Sequence, residues 1–375
     1  MVLGLTPQIS VPKENRKPSK HTQVTSPLAL TKPSTMATML ETRPLGRGGP
    51  LVSTIGFGAM GLSASYGYGG SDEDRFKVLD RAHQLGNTFW DTADVYSDNE
   101  DLIGKWLRRT GKRNDVFLAT KCGAVFEANS NVLIRSDPEH IRQACDKSLT
   151  RLGVSHIDLF YLHRLDRETP VELTVKAMAE LKEQGKIRHL GLCEVSAETL
   201  RRAHAVHPIT AIQVEYSPFS VDIEKPQIDI LRTARELGVA VVAYSPLGRG
   251  MLTGQIRSPD DFGDDDFRKN LPRFSKENFP KNLELVAKIE TIASSKGCTP
   301  GQLTLAWLLA QGADIFPIPG TKKIKYLEEN LGAVNVKLTK EEDAEIRKAI
   351  RETEVVGGRY SDAMSGDLFA DTPSL

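Results

Sequence analysis

The chain has 375 residues, enough for one large domain or two ordinary ones. Its 49 basic and 49 acidic side chains cancel, which argues against a nucleic-acid binder or a membrane-surface protein, because those more often carry a basic excess. The hydrophobic fraction of 39% and charged fraction of 26% are typical of a soluble globular protein, and no apolar run is long enough to span a bilayer.

The four cysteines lie far apart in the sequence, at Cys122, Cys145, Cys193 and Cys298. They form neither a CxxC pair nor a cluster with histidine, so we expect no metal site. Reduced thiols in a cytoplasmic protein are the simplest interpretation.

The first 42 residues differ in composition from the rest of the chain. They are rich in Pro, Ser, Thr and Lys, and Glu14 is the only acidic residue before Glu41. They contain no continuous hydrophobic segment of the kind found in secretory signals, and their prolines would break the helix of a mitochondrial presequence. We predict a disordered extension over residues 1–42. Whether it is functional, a targeting segment or an upstream start stays open.

From about residue 43, apolar strand-like runs alternate with amphipathic helix-like runs. Helix starts are indicated at Ser71, Ser136 and Ser196, and glycines such as Gly86 and Gly153 indicate helix ends. Eight strands are predicted, at 53–59, 88–92, 116–120, 157–162, 189–193, 211–215, 239–244 and 315–318. This alternation predicts an α/β fold, a parallel (β/α)8 TIM barrel over residues 43–355, followed by a C-terminal tail over residues 356–375.

One long irregular segment, residues 251–282, separates the last two predicted strands. A segment of this length within a compact domain is often an active-site lid. A tolerated surface insertion is an equally good interpretation.

Four polar residues lie at the ends of consecutive apolar strands, namely Asp91, Tyr96, Lys121 and His163. Taken singly, each has an ordinary structural explanation, such as a turn cap or a satisfied histidine. Jointly they occupy the barrel face that carries active sites. A tyrosine can donate a proton, a lysine can lower its pKa, an aspartate can hold the lysine, and a histidine can orient a carbonyl.

Two segments could bind a cofactor phosphate. The glycines of residues 56–61 match GxGxxG, but no helix follows directly, which argues against a Rossmann motif; small residues there would let a ligand approach the backbone. The sequence Pro317-Ile-Pro-Gly-Thr-Lys-Lys323 joins the last strand to a helix. Lysines oppose the dipole at a helix start, so we favour a phosphate site over an ordinary basic helix start.

Together, several separated motifs resemble the aldo-keto reductases, near the branch of YakC-type reductases and potassium-channel β subunits. The resemblance covers about residues 43–355. Its motifs are Asp91-Thr-Ala-Asp-Val-Tyr96, Thr120-Lys121, Ile157-Asp-Leu-Phe-Tyr-Leu-His163, Gly185-Lys-Ile-Arg-His-Leu-Gly-Leu192, Gln213-Val-Glu-Tyr216, Tyr244-Ser-Pro-Leu-Gly248 and Ile318-Pro-Gly-Thr321 through Glu329-Asn330.

This resemblance implies an NADPH-dependent reductase of aldehydes or ketones. Tyr96 would give its proton to the carbonyl oxygen, Lys121 would favour the phenolate, Asp91 would pair with Lys121, and His163 would align the carbonyl.

The resemblance also implies which residues bind NADPH. Tyr244 would stack on the nicotinamide, Gln213 would bind its carboxamide, and Lys323 is the reason to prefer NADPH over NADH, since only NADPH has a 2′-phosphate. Cys193 stands where many family members have serine, and a thiol is a weaker hydrogen-bond donor. The full predicted set is Met60, Asp91, Cys193, Gln213 and Tyr244 around the nicotinamide, Ser245, Leu247, Gly248 and Arg249 at the pyrophosphate, Gly320, Thr321 and Lys323 at the 2′-phosphate, and Glu329 and Asn330 at the adenine, with Glu194 as a further guess.

Two other functions compete with a reductase. One is a non-catalytic NADP-binding sensor or regulatory subunit, which would keep much of the same site. The other is a barrel lyase or isomerase that uses Lys121 as a Schiff base, which leaves Tyr96 and the phosphate signal unexplained.

The expected partner is a small-molecule carbonyl compound, bound by a monomer or weak homo-oligomer, with no nucleic acid or membrane partner. The walls of its site would come from residues 124–135 and 251–282. Four aromatic residues either line that site or belong to the core, namely Phe57, Tyr66, Phe126 and Phe219. The substrate, the oligomeric state and the physiological direction stay open.

Overall fold

Residues 38–375 form one compact unit. The predicted disordered extension lies almost wholly outside the described residues; at its end, Leu40 is buried and Thr42 begins the first strand. The computed structural model describes residues 40–67, 69–126, 132–264, 266–361 and 365–375.

Strands and helices alternate through most of this unit. The strands are β1 (Thr42–Pro44), β2 (Leu51–Ser53), β3 (Phe57–Gly58), β4 (Phe89–Asp91), β5 (Phe117–Cys122), β6 (Ala124–Phe126), β7 (Val132–Ile134), β8 (Ile157–Leu162), β9 (Ile187–Cys193), β10 (Ala211–Glu215), β11 (Ala240–Tyr244) and β12 (Ile315–Pro317). The α-helices are α1 (Asp72–Gln84), α2 (Asn99–Thr110), α3 (Pro138–Leu152), α4 (Val171–Glu183), α5 (Ala197–Val206), α6 (Ile230–Leu237), α7 (Phe279–Lys296), α8 (Pro300–Ala310), α9 (Ile324–Gly332) and α10 (Lys340–Arg351).

Eight of the strands form one parallel sheet in the order β3-β4-β5-β8-β9-β10-β11-β12. The sheet closes on itself, because the backbone N–H of Gly56 donates to Pro317 O (2.9 Å) and that of Gly58 donates to Pro319 O (3.3 Å). The predicted (β/α)8 barrel is therefore confirmed.

Local signals located the elements with uneven accuracy. Ser71 and Ser196 cap α1 and α5 through their side chains, as predicted, but α3 is capped by Asp137 rather than Ser136. The first predicted strand, 53–59, is wrong in extent, because Ser53 ends a separate antiparallel hairpin and only Phe57–Gly58 pair with β4.

Side chains alternate between the barrel interior and the helix layer, as the period of two along a strand requires. In β11, for example, Ala240 and Val242 pack inside the barrel, whereas Val241 and Ala243 pack under the helices. The β1–β2 hairpin closes the amino-terminal end, where Leu45 packs into the interior cluster. The hairpin thus blocks the amino-terminal end of the barrel, so we expect the ligand site at the carboxyl ends of the strands.

Gly56 and Gly58, the first two glycines of residues 56–61, serve barrel closure. A Cβ atom at Gly58 would lie 2.7 Å from Ile318 O, and one at Gly320 would lie 2.6 Å from Gly58 O. Contact between β3 and the strand end after β12 therefore excludes side chains here, which gives a different reason for these glycines from the ligand approach expected from the sequence.

Residues 251–282 contain short 3-10 helices and a packed aromatic group. The rings of Phe262, Phe274 and Phe279 lie with centroids 5.7 to 6.4 Å apart. Arg268 donates to Arg249 O (2.8 Å). The segment is thus integrated into the core, unlike a loosely attached insertion; its opening as a lid stays a prediction. A search of the described helices for one able to cross a membrane found none.

Candidate active site

A buried lysine–aspartate pair lies at the top of the barrel interior. Asp91 follows Phe89 on the inward face of β4, and Lys121 follows Ala119 on the inward face of β5. Lys121 is fully buried and forms an ion pair with Asp91, and its Nζ also donates to Thr92 O (2.7 Å). The other oxygen of Asp91 accepts from Gln213 Nε2 (2.8 Å). Because side chains alternate along each strand, Asp91 and Lys121 both point into the barrel, where they form one ion pair.

Tyr96 reaches this pair from the loop that follows β4. Lys121 Nζ donates to the Tyr96 hydroxyl over 3.4 Å. The loop is fixed at both ends, since Asp94 N–H donates to Lys121 O (3.1 Å) and Thr92 Oγ1 donates to Asn99 Oδ1 (2.6 Å). Tyr96 is thus held beside an ammonium group by a short, well-bonded turn.

His163 completes the group from the end of β8. Its ring packs edge-on against the Tyr96 ring, with centroids 5.9 Å apart and planes at 85°. Its backbone N–H donates to Cys122 O (2.7 Å), and its Nδ1 is buried without a partner among the described residues. The structure therefore brings together all four predicted catalytic residues.

Burial and charge set the protonation states of this group. Burial raises the pKa of Tyr96 to about 12, although the Lys121 charge acts to lower it. Burial alone would lower the pKa of Lys121, but Asp91 and Tyr96 raise it above its ordinary value. Burial, with the Arg164 and Lys121 charges, holds the pKa of His163 well below its usual range. At neutral pH the group is a protonated tyrosine, an ammonium and a neutral imidazole.

Asp94, two residues before Tyr96, is a titratable group that the sequence analysis did not single out. Its Oδ1 is buried with no hydrogen-bond partner among the described residues. Burial, and then the nearby Glu100, raise its pKa to about 7.

The free energy of unfolding should therefore fall as the pH rises, because folding favours the protonated form of Asp94. Its carboxyl ionises near pH 4 in the unfolded chain and near pH 7 in the folded protein, so the unfolded state binds fewer protons in between. From pH 4 to pH 7.5 the free energy of unfolding of the native protein should drop by about 2 kcal/mol relative to Asp94→Asn, less than the full shift because the carboxyl is partly open to solvent. Urea denaturation at both pH values measures this. Asp101→Asn, at a half-exposed carboxylate that pairs with Arg151 (2.9 Å), is the control, and a pH-independent difference for Asp94→Asn would contradict the assignment.

The nicotinamide end of the predicted cofactor site lies beside the predicted catalytic residues. Gln213 already donates to Asp91, which leaves its carbonyl oxygen for a ligand amide. Cys193 ends β9 on the inward face, and burial raises its pKa to about 12, so it stays a thiol. Tyr244 ends β11 and its hydroxyl donates to Glu194 (2.8 Å). Glu194 is thus a structural partner of Tyr244.

The predicted pyrophosphate segment has a concave backbone. Ser245, Gly248, Arg249 and Gly250 all adopt positive φ values, between 48° and 96°. A residue with negative φ followed by one with positive φ, as at Leu247 and Gly248, can form a backbone concavity that binds an anion. Arg249 is 7% exposed, lies 3.7 Å from Glu215, and its Nη1 is buried without a hydrogen-bond partner among the described residues. An orphaned guanidinium nitrogen in such a concavity fits a phosphate oxygen, with Leu247 as its neighbour in the chain.

The predicted 2′-phosphate residues lie at the start of α9. Thr321 Oγ1 accepts from the backbone N–H of Lys323 (3.1 Å). The Lys323 ammonium is exposed, lies 5.5 Å from the centre of the Tyr326 ring and forms no ion pair within the described part of the chain. Glu329 accepts from Thr299 (2.8 Å). Asn330 is buried on the same helix, and Gly320 precedes Thr321. The residues present therefore fit a phosphate.

A cleft of about 530 Å³ opens beside the Tyr96 loop, and Met60, Ser63 and Tyr96 are among its walls. Phe57 and Phe219 belong to the hydrophobic core, so the core interpretation holds for them. The side chain of Phe126 and residues 127–131 of the predicted substrate wall lie outside the described residues.

The sequence analysis missed the contribution of the C-terminal tail. The Tyr360 hydroxyl lies 3.3 Å from that of Tyr244, and Arg359 forms an ion pair with Glu194 (3.0 Å). Gly357-Gly358 precede this pair, but no periodicity marks it, so no sequence signal located these contacts.

The fold and the site place the protein among the parallel (β/α)8-barrel enzymes, whose chemistry lies at the carboxyl ends of the strands. The sequence model of the aldo/keto reductase family matches residues 54–351, and the chain belongs to that family.

Two curated relatives align over 341 residues, covering 90% of this chain and 99% of each relative. "Aldo-keto reductase str7" from Strobilurus tenacellus is 58% identical, and "Aldo-keto reductase yakc [NADP(+)]" from Schizosaccharomyces pombe is 52% identical.

Two solved structures have a fold similar to that of this chain. The glycerol dehydrogenase AKR11B4 from Gluconobacter oxydans superposes with a TM-score of 0.75 at 30% identity, over 84% of this chain and 96% of that chain. The thermostable aldo-keto reductase Tm1743, solved with the inhibitor epalrestat, gives a TM-score of 0.66 at 28% identity, over 83% of this chain and 100% of that chain.

Proposed function

We propose that this protein reduces aldehydes or ketones to alcohols with NADPH. The observation that carries the proposal is the buried Lys121–Asp91 pair placed against the hydroxyl of Tyr96 and next to a neutral His163. When bound, NADPH supplies the hydride to the carbonyl carbon. The chain supplies the proton and the alignment.

Tyr96 is the proton donor in this proposal. Its raised pKa keeps the hydroxyl protonated at neutral pH, so the proton is present when the carbonyl oxygen gains negative charge. Lys121 stabilises the phenolate that is left, and Asp91 keeps the ammonium charged and fixed. Neutral His163 donates a hydrogen bond to the carbonyl oxygen. Such positioned acid catalysis contributes typically about 10²–10⁴-fold.

The same geometry opposes a Schiff-base mechanism. A Schiff base requires a neutral amine. Lys121 is held as an ammonium, because Asp91 raises its pKa and both Asp91 and Thr92 accept from its Nζ. The lyase alternative is therefore not proposed.

Three observations support NADPH as the cofactor. The relative from Schizosaccharomyces pombe carries NADP(+) in its name. Arg249 has an orphaned nitrogen in a concave backbone segment. Lys323 stands at the start of α9 and its ammonium forms no ion pair among the described residues. It could therefore add a positive charge to the helix N-terminus in binding a 2′-phosphate.

Lys323→Glu should distinguish NADPH from NADH. The variant replaces attraction of the 2′-phosphate by repulsion, so the Kd for NADPH should rise about 30-fold, while the Kd for NADH should change less than about threefold. Fluorescence titration of both cofactors measures this. Lys325→Glu, an exposed neighbour on the same turn, is the matched control. Equal effects of Lys323→Glu on both cofactors would rule out the 2′-phosphate assignment.

The function itself is tested by following NADPH absorbance with aromatic and aliphatic aldehydes, ketones and pyridoxal. Turnover supports the reductase. Tight NADPH binding without turnover of any panel member would favour the sensor or regulatory alternative. A cytoplasmic location and a monomeric or weakly associated state stay predictions.

A further inference from the structure

The C-terminal segment, described at residues 356–361 and 365–375, returns to the carboxyl ends of the barrel strands. Ala370 forms a parallel bridge with Val195, its N–H donates to Glu194 O (3.0 Å), and its own carbonyl accepts from Ser196 N–H (3.0 Å). The segment therefore pairs with the chain directly beyond the end of β9. This is the place where the family resemblance puts the nicotinamide carboxamide.

Glu194 is the point at which this segment meets the barrel site. Its residue is 1% exposed and has a φ of 51°. One carboxylate oxygen accepts from the Tyr244 hydroxyl (2.8 Å), from Arg359 Nη1 (3.0 Å) and from Glu215 N–H (3.1 Å). A buried carboxylate requires a compensating charge, and Arg359, itself 7% exposed, provides it from the C-terminal segment.

Tyr244 is thereby held through its hydroxyl. The Tyr244 hydroxyl donates to Glu194, and the Tyr360 hydroxyl lies 3.3 Å from it. The Arg249 guanidinium lies 4.5 Å from the centre of the Tyr360 ring, so the C-terminal segment also touches the predicted pyrophosphate segment. Tyr360 thus contacts two side chains that the family resemblance assigns to the cofactor, and Arg359 reaches one of them, Tyr244, through Glu194.

We propose that Arg359 is a positioning residue for the cofactor: by neutralising Glu194 it fixes the Tyr244 ring in the orientation that stacks on the nicotinamide. Without Arg359, the buried Glu194 carboxylate would have lost its paired cation and would turn toward water, and the Tyr244 hydroxyl would lose its acceptor. The inference rests on the proposed function, because it requires bound NADPH with its nicotinamide stacked on Tyr244, as the family resemblance implies.

The test compares Arg359→Gln and Arg359→Lys with the native full-length protein. NADPH is the probe, its Kd is measured by fluorescence titration, and hydride transfer is measured in single turnovers with NADPH deuterated at C4. Arg113→Gln is the matched control. It breaks a somewhat less buried pair with Asp158 (2.7 Å) at the opposite, amino-terminal end of the barrel strands.

Arg359→Gln should raise the Kd for NADPH about tenfold and slow hydride transfer about tenfold, as expected for losing a charged hydrogen bond. Arg359→Lys should recover most of both. Arg113→Gln should lower only the melting temperature. In a Tyr244→Phe background, Arg359→Gln should change the Kd less than about twofold, because the hydroxyl through which it acts is already gone.

Three results would overturn the inference. The first is a Kd and a hydride-transfer rate for Arg359→Gln within about twofold of the native values. The second is a lower melting temperature with no other change, as expected for Arg113→Gln. The third is an effect of Arg359→Gln on the Kd that is fully additive with that of Tyr244→Phe. If Arg359→Gln does not fold, Glu194→Gln replaces it; an unchanged Kd there contradicts the inference, and a rise of about threefold or more supports it. A native protein that binds no NADPH would contradict the proposed function instead.

Discussion

Tyr96→Phe is expected to lower kcat for aldehyde reduction by about 10²–10⁴-fold and to leave the Kd for NADPH within about twofold. The substitution removes only the proton that the carbonyl oxygen needs. The ring stays packed against His163, and the Lys121–Asp91 pair is retained. Steady-state kinetics at saturating aldehyde, together with NADPH fluorescence titration, separate the two effects.

Tyr161→Phe is the matched control for that experiment. Tyr161 is another buried tyrosine of the barrel interior, and its hydroxyl has no hydrogen-bond partner among the described residues. Its loss should change kcat less than about threefold. An equal loss of activity in both variants, or a loss of NADPH binding in Tyr96→Phe, would show that Tyr96 is not the proton donor.

Lys121→Met is expected to cost about 3–5 kcal/mol of unfolding free energy, because it leaves Asp91 buried without its cation. Lys121 is fully buried, and among the described residues only the hydrogen bond from Gln213 would then remain on the Asp91 side chain. The same variant should lose nearly all reductase activity, since Tyr96 loses the charge that stabilises its phenolate. Urea denaturation and aldehyde turnover measure the two losses.

A double-mutant cycle separates the effect of Lys121→Met on stability from its effect on activity. Asp91→Asn combined with Lys121→Met removes both charges, so it should recover more than half of the stability lost in Lys121→Met. Its activity should stay absent, because neither charge returns to Tyr96. A double variant no more stable than Lys121→Met would contradict the view that unpaired Asp91 causes the cost.

The alternation of strands and helices predicted the barrel correctly because each strand carries a local apolar signal and each helix carries capping residues. The errors fell where local signals are weak. The strand at 53–59 contains a hairpin end followed by a two-residue strand, and Ser136 and Asp137 are both acceptable helix caps. The hairpin of β6 and β7 lies within residues 124–135, where the sequence analysis predicts no strand.

The sequence by itself determined the barrel and which polar side chains meet at the carboxyl end of its strands. A strand turns every second side chain inward, and parallel strands end at the same barrel face, so Asp91, Lys121 and His163 had to meet. Only the tertiary structure decided what surrounds them: the bond from Gln213 to Asp91, which joins residues 122 positions apart, and the pair of Glu194 with Arg359, 165 positions apart. Such contacts depend on closure of the barrel and on the return of the C-terminal segment, and no short stretch of sequence encodes either.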